Sequence, residues 1–360
     1  MHVDSVKKDG KDEEQRGNFT LDEALEISGS LKRIQLLYQL FFLFIIAFTF
    51  YQSLLSVFAG DSPAWRCTNN STLFCRQNID QEIKITNKNF SKRCELKREE
   101  WVYVTPNSYS YVTEFDLVCK RNYISALIGG SFFMGLVVAA VVCGTISDVY
   151  GRKKVYTIFL LFAVTSSIAT SYANNAWLLL VLRFTTGLSC SAGWAFSATY
   201  LAELIPPKLR PVCINGSNFA FPLASLFLCG VAYAVPRWRD LQLYLSLVGL
   251  LPLAVCLFVP ESPYWLVSVG RHVEAENIVR KIARWNGREF GKNVKLKREK
   301  LDDLSSTTTR KKYTYLDLFK QVKFIYVSSS FIIKDNFLII FNYSEEKSHA
   351  CILTQGSKVP

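Results

Sequence analysis

Residues 144–154 read Gly-Thr-Ile-Ser-Asp-Val-Tyr-Gly-Arg-Lys-Lys and form a short polar link between two long apolar stretches of the chain. A link of this length leaves room only for a tight turn between two antiparallel helices. Gly151 supplies the backbone freedom that the turn requires, and we expect Gly144 to permit a close approach of neighbouring helices. The stretch therefore predicts a helical hairpin, and the apolar runs on either side decide where that hairpin lies.

The link also concentrates charge at one end of the hairpin. Arg152, Lys153 and Lys154 are typical anchors on the cytoplasmic side of membrane helices, because loops on that side are enriched in lysine and arginine. Simple anchoring leaves Asp148 unexplained. We expect Asp148 to pair with nearby bases or to face a helix N-terminus, and so to hold this end of the hairpin in one conformation.

The apolar residues of the chain lie in blocks of about 20 residues, the length at which a helix crosses the hydrocarbon of a bilayer. Half of the 360 residues are hydrophobic, and the mean hydropathy of +0.15 averages these blocks with very polar stretches. This pattern excludes an ordinary soluble enzyme and predicts an all-α membrane protein with six spans and a large extracellular loop. The predicted spans are residues 34–58, 123–146, 155–172, 176–199, 211–234 and 241–259.

The bases are distributed unevenly between the two sides of this bundle. Lysine and arginine outnumber aspartate and glutamate by 42 to 30, and a net charge of +12 in a soluble protein would suggest nucleic-acid binding. Most of these bases flank the spans, so we expect a lipid bilayer rather than a nucleic acid as the partner. The N-terminal segment 1–33 and the segment 260–323 are predicted to be cytoplasmic, in a multi-pass protein of the plasma membrane.

The segment 59–122 is then predicted to lie outside the cell. It contains an even number of cysteines and several glycosylation sequons, which agree with an oxidising, glycosylated compartment. Four cysteines allow three pairings, and free thiols in a chance loop are the alternative. The disulfide candidates are Cys67, Cys75, Cys94 and Cys119, and the glycosylation candidates are Asn69, Asn70 and Asn89.

Enzymatic motifs are missing from the sequence. The three histidines, His2, His272 and His349, do not stand near cysteines or carboxylates at metal-ligand spacing. No phosphate-binding glycine loop and no nucleophile motif occurs either. We therefore expect no enzyme, no metal and no cofactor.

Span four carries an arginine, Arg183, in an otherwise apolar run. An arginine at a helix centre costs about 2.5–3.5 kcal/mol, so we expect Arg183 to face a cavity or the outer interface and to have a partner. Counting by helix turns places Gly187, Ser191 (or Cys190) and Trp194 on the same face, which has the shape of a cavity wall. The ring face of Trp194 could attract a cation by about 0.5–2 kcal/mol. The alternative is that Trp194 packs against other helices or faces lipid.

Span five contains polar and aromatic residues that allow a similar interpretation. Asn218 and Phe221 stand in a span where an amide should face protein or water rather than lipid. They line the same cavity, or the amide forms a hydrogen bond between helices.

Several motifs, which follow one another along the chain, resemble those of one family in the major facilitator superfamily. This family comprises the organic cation, organic anion and carnitine transporters. Residues 144–154 look like the loop signature of that superfamily, with Val149 where a base is usual. The resemblance covers about residues 20–320 and departs from the pattern at Tyr264, where an arginine is usual. The most specific strings are Gly230-Val-Ala-Tyr-Ala-Val-Pro-Arg-Trp-Arg-Asp-Leu-Gln242 and Pro260-Glu-Ser-Pro-Tyr-Trp-Leu266, and Leu21-Asp-Glu-Ala-Leu25 precedes span one.

The resemblance implies a fold, a mechanism and roles for particular residues. The fold would be the N-terminal six-helix bundle of a major facilitator transporter, which moves small organic ions by alternating access. Trp194 would line the substrate cavity. Gating would depend on an inner ion-pair cluster formed, together with Asp148, by Arg152, Glu203, Arg210 and Glu261.

Members of that family have two six-span halves, and this chain resembles one of them. Residues 324–341 are apolar but carry Lys334 and Asp335 at their centre, so a seventh span is not expected and 324–360 is an atypical C-terminal segment. A truncated product is one explanation. The chain would then transport organic cations or zwitterions such as carnitine by pairing with a second half. Alternatively, it is a non-transporting isoform that associates with a full-length transporter.

Overall fold

A computed structural model describes residues 18–29, 33–68, 72–78, 81–106, 109–288 and 295–296 of the chain. These residues lie in the first of two compact units, which comprises residues 1–298. Most of the N-terminal segment 1–33, the greater part of the segment 260–323 and all of the segment 324–360 lie outside the described residues. The sequence predictions for those segments therefore stay predictions.

The described part of the chain is almost entirely helical, which confirms the predicted all-α class. Two pairs of short strands accompany the helices: β1 (Asn18–Phe19) lies parallel to β4 (Lys295–Leu296), and β2 (Trp65–Cys67) lies antiparallel to β3 (Trp101–Tyr103). The helices are α1 (Leu21–Ile27), α2 (Arg33–Ala59), α3 (Leu73–Gln77), α4 (Tyr111–Glu114), α5 (Asn122–Tyr150), α6 (Arg152–Ser171), α7 (Ala176–Leu204), α8 (Arg210–Ser217), α9 (Ala220–Ala234), α10 (Trp238–Val248), α11 (Leu250–Cys256), α12 (Pro263–Ser268) and α13 (His272–Trp285).

The long helices have the length and composition of membrane spans. Among the described residues, five segments are long and apolar enough to cross a bilayer, and α7 adds an apolar stretch over Ala176–Ser191. The five segments are Ile34–Ala59, Cys119–Ala140, Arg152–Ser171, Pro207–Ala234 and Trp238–Cys256. A helix can cross hydrocarbon because it satisfies its own backbone hydrogen bonds. A chain with several such apolar helices is a multi-pass membrane protein.

Helices α5 and α7 cross with their backbones almost in contact. A Cβ atom added at Gly187 would lie 2.0 Å from the Phe132 carbonyl oxygen, and one added at Gly135 would lie 2.3 Å from the Phe184 carbonyl oxygen. Small residues let membrane helices approach in this way, and close packing takes the place of a hydrophobic driving force there. Gly135 and Gly187 therefore fix the α5–α7 crossing.

Two sequence predictions about glycines are wrong. Among the described residues, no heavy atom lies within 4 Å of a Cβ atom placed at Gly144, so the predicted close helix approach is not formed there within that part of the chain. The face of α5 that meets α7 contains Gly135 instead. Gly187 was predicted to form part of a cavity wall, but its face is covered by the backbone of α5.

The segment between α2 and α5 packs on one end of the bundle. Its residues share a buried cluster with residues of the long helices, and this cluster includes Trp65 and Trp101 of the segment and Leu55, Ile124 and Trp238 of the helices. Disulfides join Cys67 to Cys75 and Cys94 to Cys119. This connectivity is one of the three that the sequence left open.

An ion pair attaches this segment to the bundle. The Glu114 carboxylate accepts hydrogen bonds from Trp238 Nε1 at 2.6 Å and from the Arg239 guanidinium at 2.7 Å. Arg239 also donates to the carbonyl oxygens of Ser171 and Ala173, at 2.6 Å each. The start of α10, the end of α6 and the segment between α2 and α5 therefore meet at one charge-assisted cluster.

At the opposite end, α1 packs against α12 and α13. A capping box starts α1, in which Thr20 accepts from the Glu23 N–H and the Glu23 carboxylate accepts from the Thr20 N–H. The buried residues between the three helices are Ala24, Leu25, Trp265, Leu266, Ala275 and Val279.

Candidate functional site

The turn between α5 and α6 gathers most of the predicted gating residues. Gly151 has a φ of +103°, a backbone conformation that side-chain-bearing residues rarely adopt. The turn brings the Arg152 guanidinium 2.7 Å from the Asp148 carboxylate and 3.5 Å from the Glu203 carboxylate at the end of α7. Because the Arg152 and Glu203 side chains are only 18% and 15% exposed, their attraction is less screened than that of a surface pair.

Glu261 joins this arrangement by a different route from the one predicted. Its carboxylate accepts a hydrogen bond from the backbone N–H of Lys153 at 2.8 Å and so caps the first turn of α6. Trp265 Nε1 donates to the Asp148 carbonyl oxygen at 2.9 Å. These contacts, with a third from Lys153 Nζ to the Leu257 carbonyl oxygen at 3.0 Å, attach the chain that follows α11 to the α5–α6 turn.

Arg210 does not join the Arg152 cluster, although the sequence predicted one inner cluster. Its guanidinium lies 2.9 Å from the Asp22 carboxylate of α1 and 2.5 Å from the Tyr264 hydroxyl, which in turn donates to Asp22. Arg210 also donates to the Ala202 carbonyl oxygen at 2.7 Å. The α5–α6 end therefore holds two separate clusters, and the second one anchors α1.

Tyr264 occupies the position where the resemblance led us to expect an arginine, and its hydroxyl is part of this second cluster. Burial raises the pKa of Tyr264 to about 12, and the hydrogen bond to Asp22 acts in the same direction. The hydroxyl therefore stays protonated at neutral pH and continues to donate to Asp22.

Arg183 lies inside the bundle, and its exposed fraction is 2%. Its guanidinium donates to the Gln52 carbonyl oxygen of α2 at 2.9 Å, so it has the partner that the sequence required. The Gln242 amide of α10 donates to the Ser167 carbonyl oxygen at 2.8 Å. Sequence reasoning missed Gln52 and Gln242, although both are amides inside apolar runs and could have been identified on that basis.

A cleft of about 90 Å³ lies between α2, α7 and the α8–α9 pair. Asn218 and Phe221, the predicted cavity residues of span five, line this cleft, and the Phe221 ring also packs edge-on against Phe50 at 5.3 Å. Ser191 is buried within α7, and Trp194 lies on α7 with a side chain outside the described residues. The residues around the cleft are Phe42, Ile46, Ala198, Leu201, Ile214, Ser217, Asn218 and Phe221.

The lining and volume of this cleft can be compared with those of small-molecule sites. Its lining is mainly apolar, with one hydroxyl and one amide for orientation, which is the usual composition of a small-molecule site. Its volume is well below the roughly 300 Å³ at which such sites begin. Taken alone, the cleft is too small to enclose a small organic ligand.

The predicted glycosylation positions are only partly described. Asn89 is half-buried at the start of a short 3₁₀ turn, and Asn69 and Asn70 lie outside the described residues. Glycosylation of these residues stays a prediction.

Comparison with known proteins now bears on this arrangement. The family model "Sugar (and other) transporter" matches residues 83–335, more than half of the chain. The chain belongs to this family. Organic anion transporter 3 of Oryctolagus cuniculus is 28% identical to it over 84% of this chain, and organic cation/carnitine transporter 4 of Arabidopsis thaliana is 32% identical over 81%. The resemblance found in the motifs is confirmed, and these relatives are transporters rather than enzymes.

These two relatives are longer than the matched part of this chain. The alignments cover 59% of the rabbit protein and 52% of the Arabidopsis protein, so the chain spans about half the length of the curated relatives it matches. Among solved structures, the proton:xylose symporter XylE of the major facilitator superfamily aligns with 74% of this chain and 52% of its own chain, at 18% identity and a TM-score of 0.47.

Proposed function

We propose that this chain forms the N-terminal six-helix bundle of an organic-ion transporter, which carries small organic cations or zwitterions such as carnitine across the membrane. The observation that carries the proposal is the family membership over residues 83–335, together with relatives named for organic anions, organic cations and carnitine. Transport would proceed by alternating access, the mechanism that this architecture supports elsewhere.

The substrate would meet the bundle at the cleft beside α7. Asn218 and Phe221 offer an amide and a ring on one side, and Trp194 on α7 is the proposed cation-binding ring. Because the cleft alone is too small to enclose such a substrate, a second six-span bundle would have to face it. We propose a second six-span half or a full-length transporter as the source of that bundle.

The Arg152 cluster would act as the gate at the α5–α6 end. We place this end in the cytoplasm of a plasma-membrane protein, because Arg152, Lys153 and Lys154 follow the positive-inside rule. The contacts of Arg152 with Asp148 and Glu203 would close that side and separate when the substrate leaves inward. The attachment of Glu261 to α6 would keep the chain after α11 moving with the gate.

Uptake of labelled tetraethylammonium and labelled carnitine into cells that express the chain tests this proposal. We expect saturable uptake above that of untransfected cells. Trp194→Ala should lower the apparent affinity for tetraethylammonium by about 2- to 30-fold, the range of a cation–π contact.

Trp177→Ala is the matched control, since Trp177 is an exposed tryptophan at the start of the same helix. It should leave uptake unchanged. Equal losses in both variants would contradict the assignment of Trp194. Absence of saturable uptake, with co-purification of a full-length transporter, would contradict the transport proposal itself.

A further inference from the structure

A second cleft, of about 630 Å³, opens at the α5–α6 end of the bundle. It lies between the start of α6, the chain that follows α11, and helices α12 and α13. Its volume is in the range of small-molecule sites. It is separate from the α7 cleft, and of the residues in the proposed gate only Glu261 lines it. Among its lining residues are Lys153, Lys154, Ile158, Leu257, Trp265 and Arg271.

Two ammonium groups line this cleft without a carboxylate partner. Lys153 Nζ donates to the Leu257 carbonyl oxygen at 3.0 Å, and Lys154 is exposed. Within the part of the chain that the structure describes, neither lysine forms an ion pair. The lining therefore carries positive charge that is available to an anionic ligand.

The acidic residues of the cleft are already engaged. The Glu261 carboxylate accepts the N–H groups of Lys153 and Ser262, at 2.8 and 3.1 Å. The Glu274 carboxylate forms a bidentate pair with Arg271, at 2.7 and 2.5 Å. Arg271 offsets the charge of Glu274, whereas the Glu261 carboxylate keeps its charge, so the three bases and two acids of the lining leave a net charge of +1.

An exposed apolar surface continues from the cleft along the bundle. Ile158, itself part of the lining, is followed on α6 by Leu161 and Phe162, and all three are about half exposed or more. Leu257 and Phe258 expose apolar side chains beside it, where α11 packs on α6. Since α6 begins its membrane-length apolar run at Arg152, the cleft lies where the polar surface of the protein meets the hydrocarbon.

We propose that this cleft binds the headgroup of an anionic phospholipid. The phosphate lies between Lys153 and Lys154, and an acyl chain follows the apolar surface from Ile158 to Phe162. Basic pockets beside membrane helices on the cytoplasmic side suit such headgroups, because that leaflet is rich in anionic lipid. A soluble phosphate compound would use the lysines but leave the apolar surface unused.

Native mass spectrometry of the purified chain tests this site directly. The chain is titrated in detergent with phosphatidic acid or with phosphatidylcholine that has the same acyl chains, and bound lipid is counted. We expect phosphatidic acid to bind about tenfold more tightly or better. The double variant Lys153→Gln/Lys154→Gln should lose about 30-fold in affinity for phosphatidic acid, about fivefold for each lysine, with phosphatidylcholine binding unchanged.

The control removes the same charge from another surface. The control variant Lys281→Gln/Arg284→Gln changes residues that lie two turns farther along α13 than the cleft. It should retain the preference for phosphatidic acid. If the double lysine variant loses its helical circular dichroism, Lys154→Gln alone replaces it, with an expected loss of about fivefold. Equal affinities for the two lipids, or an equal loss in the control, would overturn the proposal. Binding of glycerol 3-phosphate as tight as that of phosphatidic acid would also overturn it and identify a soluble ligand instead.

Discussion

The close crossing of α5 and α7 makes a sharp prediction for Gly187→Ala. The new Cβ atom would lie 2.0 Å from the Phe132 carbonyl oxygen, whereas real Cβ atoms essentially never come closer than 3.0 Å. Because this contact is with the helix backbone, the two helices have to separate by about 1 Å at the crossing. The separation weakens the dispersion contacts along the crossing. Overpacking of this kind costs about 1–3 kcal/mol.

The expected result is a lower melting temperature. For a domain of this size a loss of 1 kcal/mol lowers Tm by roughly 2–4 °C, so Gly187→Ala should lower it by roughly 2–12 °C. Gly144→Ala is the matched control on the partner helix, because its Cβ atom would enter open space. Alanine favours a helix over glycine by about 0.5–1 kcal/mol, so this variant should melt at the same temperature or slightly higher.

The chain carries its own reporters for this experiment. Cys143 on α5 and Cys190 on α7 are buried thiols that become accessible when the crossing opens. A thiol-reactive fluorophore added during a temperature ramp in detergent records unfolding of this interface once four other cysteines are replaced by serine, namely Cys213, Cys229, Cys256 and Cys351. A Tm for Gly187→Ala within one degree of the unmutated protein, or an equal fall in the Gly144→Ala control, would refute the reasoning.

Three further predictions concern the ends of the bundle. Glu114→Gln removes the charge that binds Arg239, which should cost about 1–3 kcal/mol and lower Tm in the same thermal assay; an unchanged Tm would show that the pair holds nothing together. Tyr264→Phe removes the hydroxyl between Asp22 and Arg210 and should speed proteolysis within α1, with α10 as the internal reference; equal cleavage rates would contradict this. Raising the pH of the unmutated protein should also speed proteolysis within α1. The raised pKa of about 12 keeps the hydroxyl protonated below about pH 10, where the contribution is fully present, and the contribution is lost as the pH rises toward 12. A cleavage rate that does not change between pH 9 and pH 12 would contradict the assignment.

The all-helical class could be predicted from the sequence because its signal is local. A run such as that of α2 excludes charge for the length of a bilayer crossing, and no tertiary contact is needed to recognise it. The turn at Gly151 is local for the same reason. Its positive φ follows from two long helices that meet with no intervening residue other than that glycine.

The predictions that failed depend on which helix faces which. Gly144 and Gly187 are both glycines in apolar helices, and only the position of the facing helix makes one exposed and the other covered by backbone. The pairing of Arg210 with Asp22 joins residues 188 positions apart. The capping box at Thr20 predicts that α1 forms, but it does not predict where α1 packs.

The most direct test of the transporter account is counterflow in proteoliposomes that contain the purified chain. Vesicles preloaded with unlabelled tetraethylammonium are compared with empty vesicles for the initial uptake of labelled tetraethylammonium. Alternating access predicts faster initial uptake into the preloaded vesicles, because the loaded binding site returns outward with substrate bound. Equal initial rates in preloaded vesicles, empty vesicles and protein-free liposomes would contradict it.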